Sequence, residues 1–333
     1  MNMIEADNLS QYYRIARRDR NLVKYLFSRE YDIKKALDGV SFNISKGELV
    51  GYIGANGAGK STTIKILTGI LVPTGGQARV LGNIPHVKRK QNAAQIGVVF
   101  GQRTQLWWDL PLVDSFELLR RMYRVPVLEY NKKIKYFTEI LELDSFINTP
   151  VRQLSLGQRM RADIVASLLH NPQILFLDEP TIGLDIVAKK NLRQFIKKMR
   201  NEYEITVILT THDMKDIEEI CGRMILIDKG KKVLDMKIED VHNKFGGINT
   251  LIVDFDSEPE NISVPYLTLV SKDGPRWTFT FERDMISSSE AIFKISSLCQ
   301  VRDVSLKEPD IEDIVRDIYT GKCDVGALTK VQI

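Results

Sequence analysis

Apolar and polar residues alternate along residues 37–44 (LDGVSFNI), the period-two pattern of a strand with one buried face. Residues 2–9 read as a strand before it, and residues 48–53 (ELVGYI) as a compact apolar strand after it. A glycine-rich turn follows, and a helix is expected from Lys60. Further on, residues 96–100 (IGVVF), 174–177 (ILFL) and 205–210 (ITVILT) are short apolar runs, as buried parallel strands are. Helical periodicity fills 113–146, 157–169 and 187–202. Strands alternating with helices in this way predict an α/β domain around a largely parallel sheet. The pattern changes at Gly246-Gly247. Beyond it, 251–255 and 277–281 alternate as strands, while 287–298 and 310–319 have helical periodicity. The expected division is therefore a first domain over 1–246 and a small α+β appendage over 247–333.

Composition changes this picture little. The chain has 333 residues, 44% hydrophobic and 27% charged, as ordinary globular domains do. No apolar run approaches the ~20 residues of a membrane span, and residues 1–10 lack the apolar core of a signal peptide. A chain kept in the cytosol is expected. Cys221, Cys299 and Cys323 form no CxxC pair and read as isolated reduced thiols.

Charge is more informative in its placement than in its sum. The net charge is +4, yet eight basic and three acidic side chains fall within residues 14–35. The excess is one short segment, not a basic face of the kind nucleic-acid binding needs, and no nucleic-acid partner is expected. Within it Leu22, Tyr25, Leu26 and Arg29 have helical spacing, with arginines and lysines around them. Such a segment either packs on its own domain as a solvated surface helix or lies against an anionic membrane surface, where each basic residue contributes about 1 kcal/mol.

Candidate chemistry begins at Gly54-Ala55-Asn56-Gly57-Ala58-Gly59-Lys60-Ser61, a full GxxxxGK[ST] phosphate loop between a predicted strand and a predicted helix. Its glycines let backbone N–H groups wrap phosphates, and the helix start adds a positive dipole. Lys60 brings a charge to the outer phosphates, and the Ser61 hydroxyl is a Mg²⁺ ligand in such loops. Gly54, Asn56, Gly57, Gly59, Lys60, Ser61 and Thr62 form the expected nucleotide cradle. Asp178 and Glu179 end the apolar run 174–177. The first is placed to hold Mg²⁺ and the second to take a proton from an attacking water.

Between these two motifs, Leu154-Ser155-Leu156-Gly157-Gln158 resembles the signature LSGGQ of the ATP-binding cassette (ABC) family, with Leu156 in place of its first glycine. Gln102 resembles that family's Q-loop, Gly183-Leu184-Asp185 its D-loop, and His212 its H-loop. All occur once and in the family's order across 1–246. The resemblance implies a P-loop NTPase fold of the ABC type: a RecA-like core, an antiparallel β subdomain and an α-helical signature subdomain. It implies ATP and Mg²⁺ as cofactors and ATP hydrolysis as the activity. It implies two subunits, identical or similar, closing head to tail on two nucleotides, with Ser155, Gly157 and Gln158 of one reaching the nucleotide of the other. Asp185 would join that composite site. Glu179 would be the general base, and His212 would hold the γ-phosphate. Gln102 would touch Mg²⁺ and the attacking water. The partners implied are membrane permease subunits, with this chain peripheral on the cytoplasmic side of the inner membrane.

The family stacks an aromatic ring on adenine upstream of the phosphate loop. Tyr13 and Tyr31 are both candidates, and the distance from Tyr31 to Lys60 is nearer the family's usual spacing. Leu156, and the stretch Arg103 to Pro111 with its adjacent Trp107 and Trp108, resemble bacterial exporters of the drug and polysaccharide type. Those tryptophans either pack in the helical subdomain or line the groove that receives a permease helix. Two other classes compete. An ABC ATPase acting on ribosomes or DNA is expected to carry two cassettes or long coiled coils, and neither occurs here. A small-molecule kinase on the same loop would leave the LSLGQ signature unused.

Overall fold

A computed structural model describes residues 2–16, 31–101, 103–260 and 262–321. The chain divides into two compact units, 1–235 and 236–333.

The first unit is built on two sheets. Strands β1 (Asn2–Ala16), β2 (Tyr31–Ser45) and β4 (Gly75–Val80) form an antiparallel sheet in the order β2-β1-β4. The other sheet runs β5-β6-β7-β3-β8-β9. It contains β3 (Leu49–Gly54), β5 (Ile96–Phe100), β6 (Ile174–Asp178), β7 (Thr206–Thr210), β8 (Arg223–Asp228) and β9 (Lys231–Lys237). Strand pairs β5·β6, β6·β7, β7·β3 and β3·β8 are parallel. All five residues of β7 are buried, as are the first four of β6, which is why these strands are continuous apolar runs. Ile4, Val40, Phe42, Tyr52, Ile64, Phe176 and Ile208 share one core with others from both sheets.

The register of this sheet creates the site. Gly51 pairs with Leu209, Leu177 with Leu209, and Asp178 with Thr210. The carboxyl ends of β3, β6 and β7 therefore lie side by side, where open parallel sheets bind ligands. The phosphate loop leaves β3 there, Glu179 follows β6, and His212 follows β7.

Helix α1 (Lys60–Leu67) follows the loop, and the short α2 (Arg89–Ala93) precedes β5. The periodicity expected to run through 113–146 divides into α3 (Leu112–Met122) and α4 (Val127–Ile140). Arg124 between them is left-handed (φ 56°), and Pro126 caps α4, so the chain must break there. Helix α5 (Leu156–Leu168) completes the helical subdomain, followed by α6 (Ile186–Tyr203) and α7 (Met214–Ile220). The basic stretch expected to be helical falls mostly on residues 17–30, outside the described residues. Its flanks belong to β1 and β2.

The second unit holds an antiparallel sheet in the order β11-β12-β10-β13. Its strands are β10 (Ile248–Phe255), β11 (Leu267–Asp273), β12 (Arg276–Glu282) and β13 (Val301–Lys307). Helices α8 (Ile238–Phe245), α9 (Ser288–Leu298) and α10 (Ile311–Tyr319) accompany it. Leu251, Val253, Phe255, Trp277, Phe279 and Phe281 alternate inward along β10 and β12 and pack under Ala291 and Ile295 of α9. This core is separate from the first.

Candidate functional site

The phosphate loop folds around backbone that tolerates no side chain. A Cβ on Gly54 would fall 2.4 Å from the Ile227 carbonyl oxygen. Gly59, at φ 115°, would place one 2.6 Å from the Ala36 carbonyl. Only glycine meets both conditions, and the result is a bare cradle at the start of α1. Lys60 lies in it almost fully buried, its ammonium donating to the Gly54 carbonyl at 2.6 Å and to that of Ala55 at 3.3 Å. Burial pushes its pKa below the usual lysine value, while Glu179 and Asp178 nearby oppose that shift. The carboxylates thus help keep the charge that phosphate binding needs.

Asp178 is held from two sides. Thr210 donates its hydroxyl to one carboxylate oxygen at 2.5 Å, and Ser61 donates to the other at 3.1 Å. A serine hydroxyl and a carboxylate brought together this way are hard oxygen donors, the ligand type Mg²⁺ takes. They fit the metal that the motif implies.

Glu179 sits one residue on, in left-handed backbone (φ 57°). Its N–H donates to the Thr210 carbonyl at 2.9 Å, fixing a conformation that a non-glycine residue adopts at a cost. This aims its carboxylate at His212, whose Nδ1 lies 2.6 Å from Glu179 Oε2. The His212 ring is two-thirds exposed, whereas the Glu179 side chain is mostly covered. An acceptor for a proton and a partner to orient it stand together at the cleft.

The cleft has a volume of about 890 Å³. It is lined by the phosphate loop, Asp178, Glu179 and His212, and by Tyr13, Ile15, Lys34 and Ala36 of the β1/β2 hairpin. Tyr13 pairs with Lys34 across the hairpin, so their side chains share a face with Ile15 and Ala36. Tyr31 pairs with Ala16 further out and does not line the cleft. The structure therefore brings Tyr13 to the nucleotide cradle and leaves Tyr31 outside it, although spacing alone favoured Tyr31. Gln102 lies outside the described residues. Arg103, next to it, lines the cleft and was missed, as were Ile15, Lys34, Lys65 and Ile70. The alternation of Tyr13, Arg14 and Ile15 was the available signal for the hairpin residues, although bulges beside Gln11 separate it from the pattern that ends at Leu9.

Ser155, Gly157, Gln158 and Asp185 do not line this cleft. Ser155 caps α5 in a reciprocal capping box. Its hydroxyl accepts from the Gln158 N–H at 3.2 Å, and its own N–H donates to Gln158 Oε1 at 2.9 Å. Asp185 caps α6 by accepting from the Ala188 N–H at 2.8 Å. Both leave helix starts at the surface, where backbone donors can meet an anion.

The segment after Gln102 is tied to α5. Asp163 of α5 accepts from the Thr104 hydroxyl at 2.9 Å and from the Gln105 N–H at 3.1 Å. Burial pushes the Asp163 carboxyl up to about 6. Arg159 of the same helix stacks on the Trp108 ring at 4.5 Å. Trp107 and Trp108 remain partly exposed.

This carboxyl end of the parallel sheet, with a glycine cradle, an oriented carboxylate pair and a histidine from the next strand, defines a nucleoside triphosphatase of the P-loop class. Comparison with known proteins narrows it. Residues 37–182 match the family described as "ABC transporter". An uncharacterized ABC transporter ATP-binding protein of Methanocaldococcus jannaschii is 34% identical over 231 residues, covering 69% of this chain and 81% of the relative. The Nod factor export ATP-binding protein I of Ralstonia nicotianae is 30% identical over 260 residues, covering 77% and 79%. Among solved structures, the dimeric, ADP- and Pi-bound post-hydrolysis state of the ATP-binding cassette MJ0796 is 28% identical. It superimposes with a TM-score of 0.61 over 71% of this chain and 99% of that one. The chain belongs to the ABC transporter ATP-binding proteins. It binds and hydrolyses ATP, on the cassette fold that the motifs had implied.

Proposed function

We propose that this subunit works as a pair of cassettes closing on two ATP molecules and drives membrane permease subunits in export. The relatives support the reading: one is named for export, and the MJ0796 cassette was solved as a dimer. Among the described residues no helix is long and apolar enough to cross a membrane, so a spanning partner has to provide the path. The subunit would then sit peripherally on the cytoplasmic face, with Trp107 and Trp108 offered to the permease.

The chemistry follows from placement. Lys60 and the loop N–H groups bind the phosphates, and Tyr13 stacks on the base. Ser61 and Asp178 hold Mg²⁺, which supplies charge neutralisation on the phosphate oxygens. Glu179 accepts the proton of the attacking water, and His212 holds Glu179 and the γ-phosphate in register. Ser155, Gly157 and Gln158 belong to the partner's nucleotide, since they do not reach the cleft of their own chain.

The observation that carries this reading is the 2.6 Å pair of Glu179 and His212 beside Lys60 and Asp178. Replacing Glu179 by Gln keeps the shape and removes the base. Glu179→Gln is expected to bind ATP, to hydrolyse it about 10²–10⁴ times more slowly, and to accumulate an ATP-bound dimer on size exclusion. Wild-type turnover in this variant would remove Glu179 from the mechanism.

A further inference from the structure

Leu156 stands where the signature pattern has glycine, and its side chain has a definite seat. Gly183 lies in a left-handed turn (φ 72°). A Cβ built on it would fall 2.3 Å from Leu156 Cδ2 and 3.1 Å from Leu156 Cγ. The isobutyl group of Leu156 therefore rests on the bare α-carbon of Gly183. The contact has a mirror. A Cβ on Gly157 would lie 3.0 Å from Leu184 Cδ2, so Leu184 covers Gly157 as Leu156 covers Gly183. Leu184 is 9% exposed, whereas Leu156 keeps 40% of its surface open. Two leucines and two glycines interlock the start of α5 with the turn before α6.

Both ends of this contact carry groups assigned above to the composite site. Ser155, immediately before Leu156, caps α5, and Asp185, immediately after Leu184, caps α6. Helix α6 continues the connection. Lys189 pairs with Asp213 at 2.8 Å, next to His212. Arg193 pairs with the fully buried Asp216 at 2.6 Å, and Asp216 also accepts from the hydroxyls of Thr181 and Thr211. The turn that Leu156 grips is thus tied to the segment bearing His212 through Thr181, Asp216 and Thr211.

We propose that Leu156 is a positioning residue that locks the signature turn to the D-loop turn of its own chain, so that Ser155 and Asp185 engage a second cassette as one body. This rests on the paired-cassette reading. A glycine at 156 would have no atoms beyond Cα to cover Gly183, and the two turns would be joined only through Leu184. The lock makes engagement of one nucleotide felt at the other site, because the signature turn, the D-loop and the His212 segment then shift together.

The test is a mutant cycle on the full-length chain. Leu156→Gly is expected to lower the Hill coefficient of ATP hydrolysis toward 1 and to reduce kcat about 3–10-fold, with ATP affinity of the single subunit unchanged. Leu156→Met, which keeps a side chain of similar volume, restores both. Gly183→Ala in the wild-type background pushes the Leu156 side chain off its seat and is expected to reduce kcat about 3–10-fold, as loss of that side chain does. In the Leu156→Gly background it costs no more than about threefold, since only the backbone strain remains. The same cycle read by thermal melting reports the contact within one chain whether or not a pair forms. Equal effects of Gly183→Ala in both backgrounds, or a wild-type Hill coefficient in Leu156→Gly, overturn the lock. If instead Glu179→Gln fails to pair with ATP while the melting cycle shows coupling, the paired-cassette reading and the proposed transmission fall, and only the contact survives.

Discussion

At the scale of single residues, the site shows how pairing geometry outranks distance along the chain. Tyr31 has the better spacing from Lys60, but spacing counts residues and the β1/β2 hairpin counts pairs. The register that sets Tyr13 opposite Lys34 turns Tyr13 to the cleft and carries Tyr31 outward. An aromatic ring stacked on a base is worth about 1–3 kcal/mol. Tyr13→Ala is therefore expected to weaken ATP binding by about tenfold or more, while Tyr31→Ala leaves it nearly unaltered. Isothermal titration of the two variants decides between them, and the opposite ranking would return the stacking role to Tyr31. The phosphate loop, Asp178, Glu179 and His212 were legible because each motif needs particular atoms at particular strand ends. The left-handed backbone of Glu179 was not. It follows from the close pairing of β6 with β7, a tertiary fact with no local pattern.

Among the elements, α5 joins most of what the chemistry depends on. Its start is the signature turn, its middle holds Asp163 against Thr104 and Gln105, and Arg159 stacks on Trp108. Asp163 gives this tether a pH signature. Its carboxyl titrates near 6 in the fold against an ordinary value of 3.8, because burial favours the neutral form. The folded state therefore holds that proton more tightly than the unfolded chain does. The resulting stabilisation is complete below about pH 4 and is lost as pH rises through 6, a change of roughly 3 kcal/mol at ~1.4 kcal/mol per unit. Asp163→Asn keeps an acceptor oxygen for Thr104 and Gln105 and has no such titration. Urea unfolding at pH 4.5 and pH 7.5 should show the variant gaining on the wild type as pH rises, and a constant gap would mean that burial does not control this carboxyl. The helix itself could be read from its apolar period, but its tie to residues 104–105 could not. Polar contacts between distant segments leave no periodic trace. The same limit hid β11 and β13, whose residues are mostly exposed and do not alternate cleanly.

For the molecule as a whole, the proposed pairing of cassettes has each chain supply one half of two composite sites. The cradle lines the cleft, and Ser155 lies off it. Lys60→Ala and Ser155→Arg are each expected to abolish hydrolysis. Mixing the two should restore part of the activity, because in a mixed pair both lesions fall on one composite site and the other stays whole. Confirmed mixed pairs without recovered turnover would place Ser155 outside its partner's site. The two compact units, each with its own hydrophobic core, divide at residue 235 near the end of β9, and the sequence pattern changes at Gly246-Gly247. The β1/β2 pairing has one more consequence. The wall of the nucleotide cleft is set where Tyr13 faces Lys34, and the pairing continues outward from there to Ala16 and Tyr31. Doubling the length of the connection there adds only about 0.6 kcal/mol of closure entropy. A change of length at this corner is therefore expected to leave the Tyr13–Lys34 register, and with it turnover, in place. For an engineer, it is a place to graft a reporter that senses the bound base from a few residues away.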